Sequence, residues 1–401
     1  MKTLLICLCA LSGSLVYAQD QWIIKDSVNG EPRSTASAFV LQGNGYALCG
    51  LDGGGFRRKI YSYTFWQDDW DDEGSLGGLN GDGLERGSAS AFVIADKGYI
   101  CVGQGYTNPF FKDCWEYDPV TNAWTQMADF AGSARRQGVG FAIDDYGYVG
   151  LGYDANGYCK DMYRFDPVAN TWTQMNDFGG TARKDAVGFA MGDQGYVGTG
   201  DDGVLRKDFW KYEPTTDTWT QKQDFPGTAR KGAVGCGIFP QAFICTGEDV
   251  NFEYTTDLWE FNYFSETWSQ RADFIGPGRS HAFCFPLNDN VFVGTGYGES
   301  GFMKDVYSYR RIVGLEENSL YASMECYPNP ANDVMHLRVD PLGLSLRLFS
   351  LDGRDVTAEV GIESNFSGFT LQRNQLPSGN YLLVVEQKEL GFVGQRKVSF
   401  L

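Results

Sequence analysis

The sequence predicts an all-β protein: a six-bladed β-propeller followed by a small β-sandwich. Three observations predict it. An Arg recurs at Arg33, Arg86, Arg135, Arg183, Arg230 and Arg279, and a Gly follows each by 17 residues, at Gly50, Gly103, Gly152, Gly200, Gly247 and Gly296. Trp124, Trp172, Trp219 and Trp268 each stand 11 residues before the next Arg. The 401 residues also contain 51 Gly, 28 Phe, 22 Tyr and 10 Trp, a supply of turn formers and of rings to bury that disordered chains lack. Self-similarity at a period of about 48 residues marks a supersecondary unit that buries its faces only by stacking on copies of itself.

The elements follow in order. Lys2, the apolar stretch Leu4 to Val16, and small residues up to Ala18 read as a secretory signal peptide over 1–18. Its apolar run of about 13 residues is short of the ~20 that span a bilayer, and no later stretch is long and apolar enough to do so. Cys7 and Cys9 leave with it, so eight cysteines remain: Cys49, Cys101, Cys114, Cys159, Cys236, Cys245, Cys284 and Cys326. An even number in an exported chain allows disulfides. Cys49, Cys101, Cys236, Cys245 and Cys284 lie in apolar strand-like runs and read instead as small buried hydrophobes.

The propeller is expected over 19–312. After Arg135 come strands at Gly138–Ile143, Tyr148–Gly152, Met162–Phe165 and Thr171–Met175. The loop Asp166–Asn170 carries the turn chemistry of Asp, Pro and Asn. The last unit supplies strands at Phe283–Phe285, Val291–Gly296 and Val306–Tyr309 and then stops. Trp22, Ile23 and Ile24 precede Arg33 by the same 11 residues, so they form an orphan fourth strand. Pairing it with the last unit closes the ring and removes two sheet edges. The second unit carries a Gly-rich acidic insertion, Asp71–Leu84. The four repeated Trp are expected to be buried blade-packing residues. The six Arg should bond neighbouring blades or loop carbonyls, and the Lys-Asp pairs at 112–113, 160–161, 207–208 and 304–305 should anchor turns.

Past a linker at 313–325, short alternating strands run from 326 to 401. Met335, Leu337 and Val339 alternate with Val334, His336 and Arg338, the period-2 pattern of a half-buried strand. A small β-sandwich of about 75 residues follows.

The repeat resembles the Kelch repeat of the galactose oxidase-like propeller superfamily, by its Arg, its Gly-ending strand, its Tyr/Phe-Asp-Pro turn and its Trp. It has Gly150-Leu151-Gly152, Gly198-Thr199-Gly200 and Gly294-Thr295-Gly296 where a plain Gly pair is usual. The C-terminal segment, with Tyr327-Pro328-Asn329-Pro330-Ala331, Asp352-Gly353, Gly379-Asn380-Tyr381 and a final strand starting at Lys397, resembles the C-terminal sorting domain of the type IX secretion system of Bacteroidota. That resemblance implies entry to the periplasm, export by the type IX machinery acting on 326–401, and a secreted or outer-surface product.

Composition narrows the function. Asp and Glu total 51 against 33 Lys and Arg, a net charge of −18, which excludes reliance on a nucleic-acid phosphate backbone. Only His281 and His336 are present and no C-x-x-C spacing occurs, so neither a metal nor a cofactor is expected. One propeller His also excludes the copper chemistry of galactose oxidase-related enzymes. A function must break the ring's pseudo-symmetry, so the variable positions matter. In Kelch propellers the rim commonly holds the ligand, which implies a ligand-binding rim here at Thr35, Ser88, Arg136, Gln137, Lys184, Asp185, Lys231 and His281. Loop aromatics Phe56, Tyr106, Phe110, Phe111, Tyr153, Tyr158, Phe252, Tyr254, Tyr297 and Phe302 suit sugar faces or peptide side chains, or else pack their own loops. Asp154 to Gly157 has the oxygen content of a calcium loop without a full ligand set.

The leading expectation is a binding module for a glycan or protein ligand. A carbohydrate-active isomerase or mutarotase-like enzyme, with Asp185, Arg136 and His281 as catalytic candidates, is the alternative. A structural surface protein is the third.

Overall fold

The structure, a computed structural model, describes residues 20–78, 84–106, 108–310, 325–327, 329–338, 344–365, 368–387 and 391–401. The expected signal peptide and, apart from Glu325, the expected linker lie outside them, as does part of the acidic insertion. Between Gln21 and Arg310 lie six antiparallel sheets of four main strands each, the second extended to seven by short strands, with smaller two- and three-stranded sheets between them. Their innermost strands are Ser37–Leu41, Ser90–Ile94, Val139–Ile143, Val187–Met191, Val234–Ile238 and Phe283–Leu287. Each packs beside the next, and the sixth returns to the first, so the sheets form the closed ring of a six-bladed propeller.

The closure is the expected one. Gln21–Lys25 is the outer strand of the sixth blade and pairs antiparallel with Val306–Arg310, placing Trp22 opposite Tyr309. Trp22 is buried between Phe274 and Tyr309, with ring centroids 5.0 and 5.2 Å away, and its Nε1–H donates to Ala272 O at 2.9 Å.

The Arg and Gly landmarks are two parts of one device. Each Arg sends Nη1–H to the carbonyl 16 residues ahead, as from Arg183 to Thr199 O at 3.0 Å. That acceptor residue, Cys49, Val102, Leu151, Thr199, Thr246 or Thr295, has φ near +60°, which turns its carbonyl onto the guanidinium. The Gly that follows has φ from +95° to +113°, a region closed to L side chains. At Gly50, Gly152, Gly200, Gly247 and Gly296 the N–H donates to the carbonyl of the next blade's Arg, as Gly200 to Arg230 at 2.8 Å and, closing the circle, Gly296 to Arg33 at 2.8 Å.

Several expectations are corrected. Of the two partners expected for the Arg side chains, they take the loop carbonyls, within their own blades, and not the neighbouring blades. The four Asp expected to anchor turns, Asp113, Asp161, Asp208 and Asp305, are ion-pair partners of these Arg, and Asp257, outside those pairs, serves Arg230 in the same way. In the first blade Lys59 occupies that position, and Arg33 instead donates to Glu31, Cys49 and Asn29 carbonyls over the Tyr61 ring. The second strand after Arg135 is Tyr146–Gly150, because positive φ at Leu151 and Gly152 takes both out of the ladder. Trp124, Trp172, Trp219 and Trp268 are half-buried, not buried. Trp172 and Trp268 act as pegs between blades, donating to Ala128 O and Gln223 O of the preceding one. The first half of the acidic insertion is strand, since Asp69–Ser75 completes the first blade. Cys101 is no free thiol but is bonded to Cys114, directly opposite it on the neighbouring strand.

The C-terminal strands form two sheets, one of four strands between Glu325 and Gln372 and one of three between Leu344 and Phe400. Met335, Leu337, Leu348, Leu371, Leu383 and Val398 make the core between them. His336 points away from that core and its Nδ1 lies 3.2 Å from Thr370 Oγ1.

Candidate functional site

The residues two places after each Arg are Thr35, Ser88, Gln137, Asp185, Gly232 and His281, and all six have φ between +53° and +60°. This conformation turns each N–H toward the previous blade and each C=O toward the next. A continuous circle of six backbone hydrogen bonds results: Ser88 to Thr35, Gln137 to Ser88, Asp185 to Gln137, Gly232 to Asp185, His281 to Gly232, and Thr35 to His281, at 2.8–3.1 Å. The circle is the mouth of the central channel, and its side chains line a shallow cavity of about 120 Å³. The expectation that these positions share one rim describes their placement.

Within the circle, His281 Nε2 lies 3.2 Å from Asp185 Oδ1, and Gln137 Nε2–H donates to Asp185 Oδ2 at 2.9 Å. His281 Nδ1 contacts Ser280 Oγ at 3.1 Å, and Lys184 Nζ is 3.8 Å from Asp185 Oδ2. Burial acts to raise the Asp185 carboxyl, but His281, Lys184 and the Gln137 hydrogen bond outweigh it and hold it below the ordinary value. Burial likewise acts to lower the His281 imidazolium, and the Asp185 carboxylate outweighs that and raises it. The two form a pair that favours the charged state of both. Gly232 lies between them in the circle, and a Cβ there would stand 2.8 Å from His281 Cε1.

A second ring surrounds the first. The residue one place after each Arg is bridged to the residue one place after each landmark Gly: Ser34 to Leu51, Gly87 to Gln104, Arg136 to Tyr153, Lys184 to Asp201, Lys231 to Glu248 and Ser280 to Tyr297. Sequence reasoning missed Gln104 as a rim residue, although its place directly after the landmark Gly103 was a usable signal. Glu248 neutralises Lys231 at 3.1 Å. Arg136 has no ion pair among the described residues. It donates Nη1–H to Gln104 Oε1 and lies over the rings of Phe110 and Tyr153, at 5.4 and 5.8 Å from their centroids. Lys184 Nζ lies 5.8 Å from the Tyr153 centroid as well, so one ring serves two cations.

The remaining aromatics divide. Tyr153 packs edge-on against Tyr158, Phe56 against Tyr106, and Tyr297 against Phe302, at 5.2–5.7 Å between centroids. Phe252 and Tyr106 are exposed at the periphery, and Tyr254 is half-buried beside Glu248. Phe111 is a correction: it opens the strand Phe111–Asp118, is buried, and faces the Arg86 guanidinium at 4.3 Å, so it belongs to the scaffold. Asp154 Oδ1 accepts from Asn156 N–H and Gly157 N–H, and Oδ2 accepts from Ser133 Oγ at 2.6 Å, which uses its carboxylate to hold the turn.

A larger cavity, about 830 Å³, lies elsewhere, between the far end of the channel (Met191, Phe239) and the C-terminal domain (Leu351, Arg354). The paired Asp185 and His281 are at the opposite mouth, and we place the candidate site there.

Among solved structures, the chain is similar to one titled "Structure of YjhT", with 16% identity and a TM-score of 0.58 over 71% of this chain and 96% of that one. At that identity the likeness concerns the fold alone. No curated protein matches the chain. Among the described residues, no helix is long and apolar enough to cross a membrane. Residues 325–398 match the family described as "Secretion system C-terminal sorting domain", which indicates type IX export of the chain to the cell surface or beyond.

Proposed function

We propose that this protein is a binding module of the Kelch-propeller kind, secreted or held on the outer surface, taking a glycan or protein ligand on the rim around Arg136, Gln137, Asp185 and His281. The observation that carries this reading is a group of buried polar atoms at that mouth with no hydrogen-bond partner: Thr35 Oγ1, Gln137 Oε1 and Arg136 Nε. Buried polar groups are ordinarily satisfied; others such as Thr199 Oγ1, Thr246 Oγ1 and Thr295 Oγ1 repeat at scaffold positions, whereas these three belong to the two rim rings, where a ligand's polar atoms can dock. The cavity of about 120 Å³ is small beside the ~300 Å³ or more of enclosed small-molecule pockets. A ligand would therefore lie across the rim, with one group dipping into the mouth and Tyr153 against an apolar face. A glycan array probed with the full chain and with Arg136→Ala tests this. Retention of defined glycans that falls at least tenfold in the variant supports the reading. Silence on the array together with binding to host proteins turns it to a protein ligand, and silence on both overturns it.

One contact favours a second reading, an isomerase or mutarotase-like enzyme. The Asp185–His281 pair holds a proton donor beside a carboxylate at the mouth, the elements of general acid–base catalysis. Exchange between sugar anomers followed by NMR separates the two. Turnover lost in His281→Ala with retention kept would mark an enzyme, and retention without turnover marks a binder.

A further inference from the structure

Cys236 and Cys284 lie on the innermost strands of the fifth and sixth blades, which pack side by side. Their sulfurs are 2.9 Å apart, well inside the ~3.5 Å at which even carbon atoms rest in non-bonded contact. We propose that in the exported protein these two thiols form a disulfide that staples the fifth blade to the sixth. The position gives the bond a purpose. The sixth blade is assembled from both ends of the propeller chain, its outer strand Gln21–Lys25 being held to Val306–Arg310 only by hydrogen bonds and packing. A covalent tie at its inner strand fixes it from the other side.

The surroundings suit formation during folding rather than after it. Cys236 is buried, while Cys284 is half-exposed to the channel, whose lining of Ala186, Val187, Gly188 and Gly235 encloses about 200 Å³. Burial, and then the neighbouring Cys236, raise the Cys284 thiol well above its ordinary value, so it is a weak nucleophile once the ring has closed. The sorting domain sends the chain through an oxidising compartment, where the oxidant is a disulfide of an exported dithiol protein or a small molecule. The Cys284 thiolate attacks one sulfur of that disulfide and releases the first thiol. The Cys236 thiolate then attacks Cys284 Sγ in the mixed disulfide and releases the second. Two cysteine thiols lose two electrons, the oxidant's S–S bond gains them, and the two protons end on its thiols.

Peptide mapping of the full chain exported through an oxidising periplasm tests this. After alkylation without reductant, trypsin should release peptide 232–271 joined to peptide 280–304, and reduction should separate them. Peptide 232–271 also contains Cys245, which shares the same apolar cluster, so the map is repeated on Cys245→Ser and Cys236→Ser. A link kept in Cys245→Ser and lost in Cys236→Ser supports the staple. A link that survives in Cys236→Ser assigns the bond to Cys245 and overturns it, as does complete alkylation of Cys236 and Cys284 in the unreduced protein. The wild-type result stands even if a variant fails to fold. Reductant should lower the melting temperature of Cys245→Ser by more than that of Cys236→Ser, in which the Cys101–Cys114 bond remains but the staple cannot form; equal losses would overturn the staple.

Discussion

Asp185 and His281, 96 residues apart in the chain, meet at 3.2 Å because Gly232, the position between them in the backbone circle, has no side chain. The contact depends on the ring more than on either local sequence. Positive φ at three successive blades aims the backbone, and a missing Cβ leaves room for the imidazole.

The pair sets a pH window. Asp185 is held below its ordinary value of 3.8, so its contribution to stability is present above about 3.8 and is lost as pH falls through the lower folded value. His281 is held above 6.5, so its contribution is complete below about 6.5 and is lost as pH rises through the higher folded value. Both are present together between about pH 4 and 6.5. An NMR titration should find the His281 midpoint above 6.5 and find it lowered in Asp185→Asn. A His281 midpoint unaffected by the substitution would refute the pairing.

Asp208 is tied to Arg183 by two contacts of 2.5 and 2.8 Å, and Arg183 is buried. Asp208→Ala would strand that guanidinium away from water, with Thr199, Thr181 and their neighbours supplying only neutral oxygens. Breaking one side of a buried pair costs about 3–5 kcal/mol. Urea denaturation at pH 7 should show a loss in this range, and a loss under about 1 kcal/mol would mean the carbonyls alone suffice, as they must for Arg33.

Much of the ring was legible because the repeat multiplies weak signals. Six copies of one Arg-to-Gly interval outweigh any ambiguity in a single strand, and Trp22 revealed closure by its place in the same register. What was not legible depends on how side chains meet in space. The Lys-Asp pairs looked like turn anchors because a sequence does not show that Asp161 swings back to Arg135. Phe111 and Tyr106, five residues apart, look alike in sequence, yet one packs under Arg86 and the other stays exposed. The rim positions were found through their distance from Arg. Gln104 is hidden in sequence because it reaches the rim from the Gly landmark and not from the Arg.

The landmark glycines should tolerate no side chain. Gly200 has φ +100°, and a Cβ there would lie 2.9 Å from Lys184 O. Gly43 has φ +78° with open space around its Cβ. Gly43→Ala carries backbone strain alone, about 1 kcal/mol, whereas Gly200→Ala adds a clash with backbone that also bonds the next blade, bringing the cost to about 2–3 kcal/mol. Thermal unfolding of the two variants should rank them in that order. Equal losses would show that space, as distinct from φ, does not matter at Gly200.

The sharpest test of closure is Trp22→Ala. The indole anchors a strand of only five residues whose other apolar side chains, Ile23 and Ile24, are exposed. Without it the strand keeps its backbone ladder to Val306–Arg310 but loses its packing on Phe274 and Tyr309 and the Nε1 hydrogen bond to Ala272. Replacing a buried Trp by Ala costs about 3–5 kcal/mol. Much of that loss should appear as local opening, since the strand is the first element among the described residues and can detach without unfolding the other five blades. Hydrogen exchange should therefore rise first in 21–25 and in the facing strand 306–310, ahead of Val139–Ile143 or Val187–Met191. Uniform acceleration across all six blades would instead show that the ring opens as one cooperative unit, with the closure holding every blade and not just the sixth.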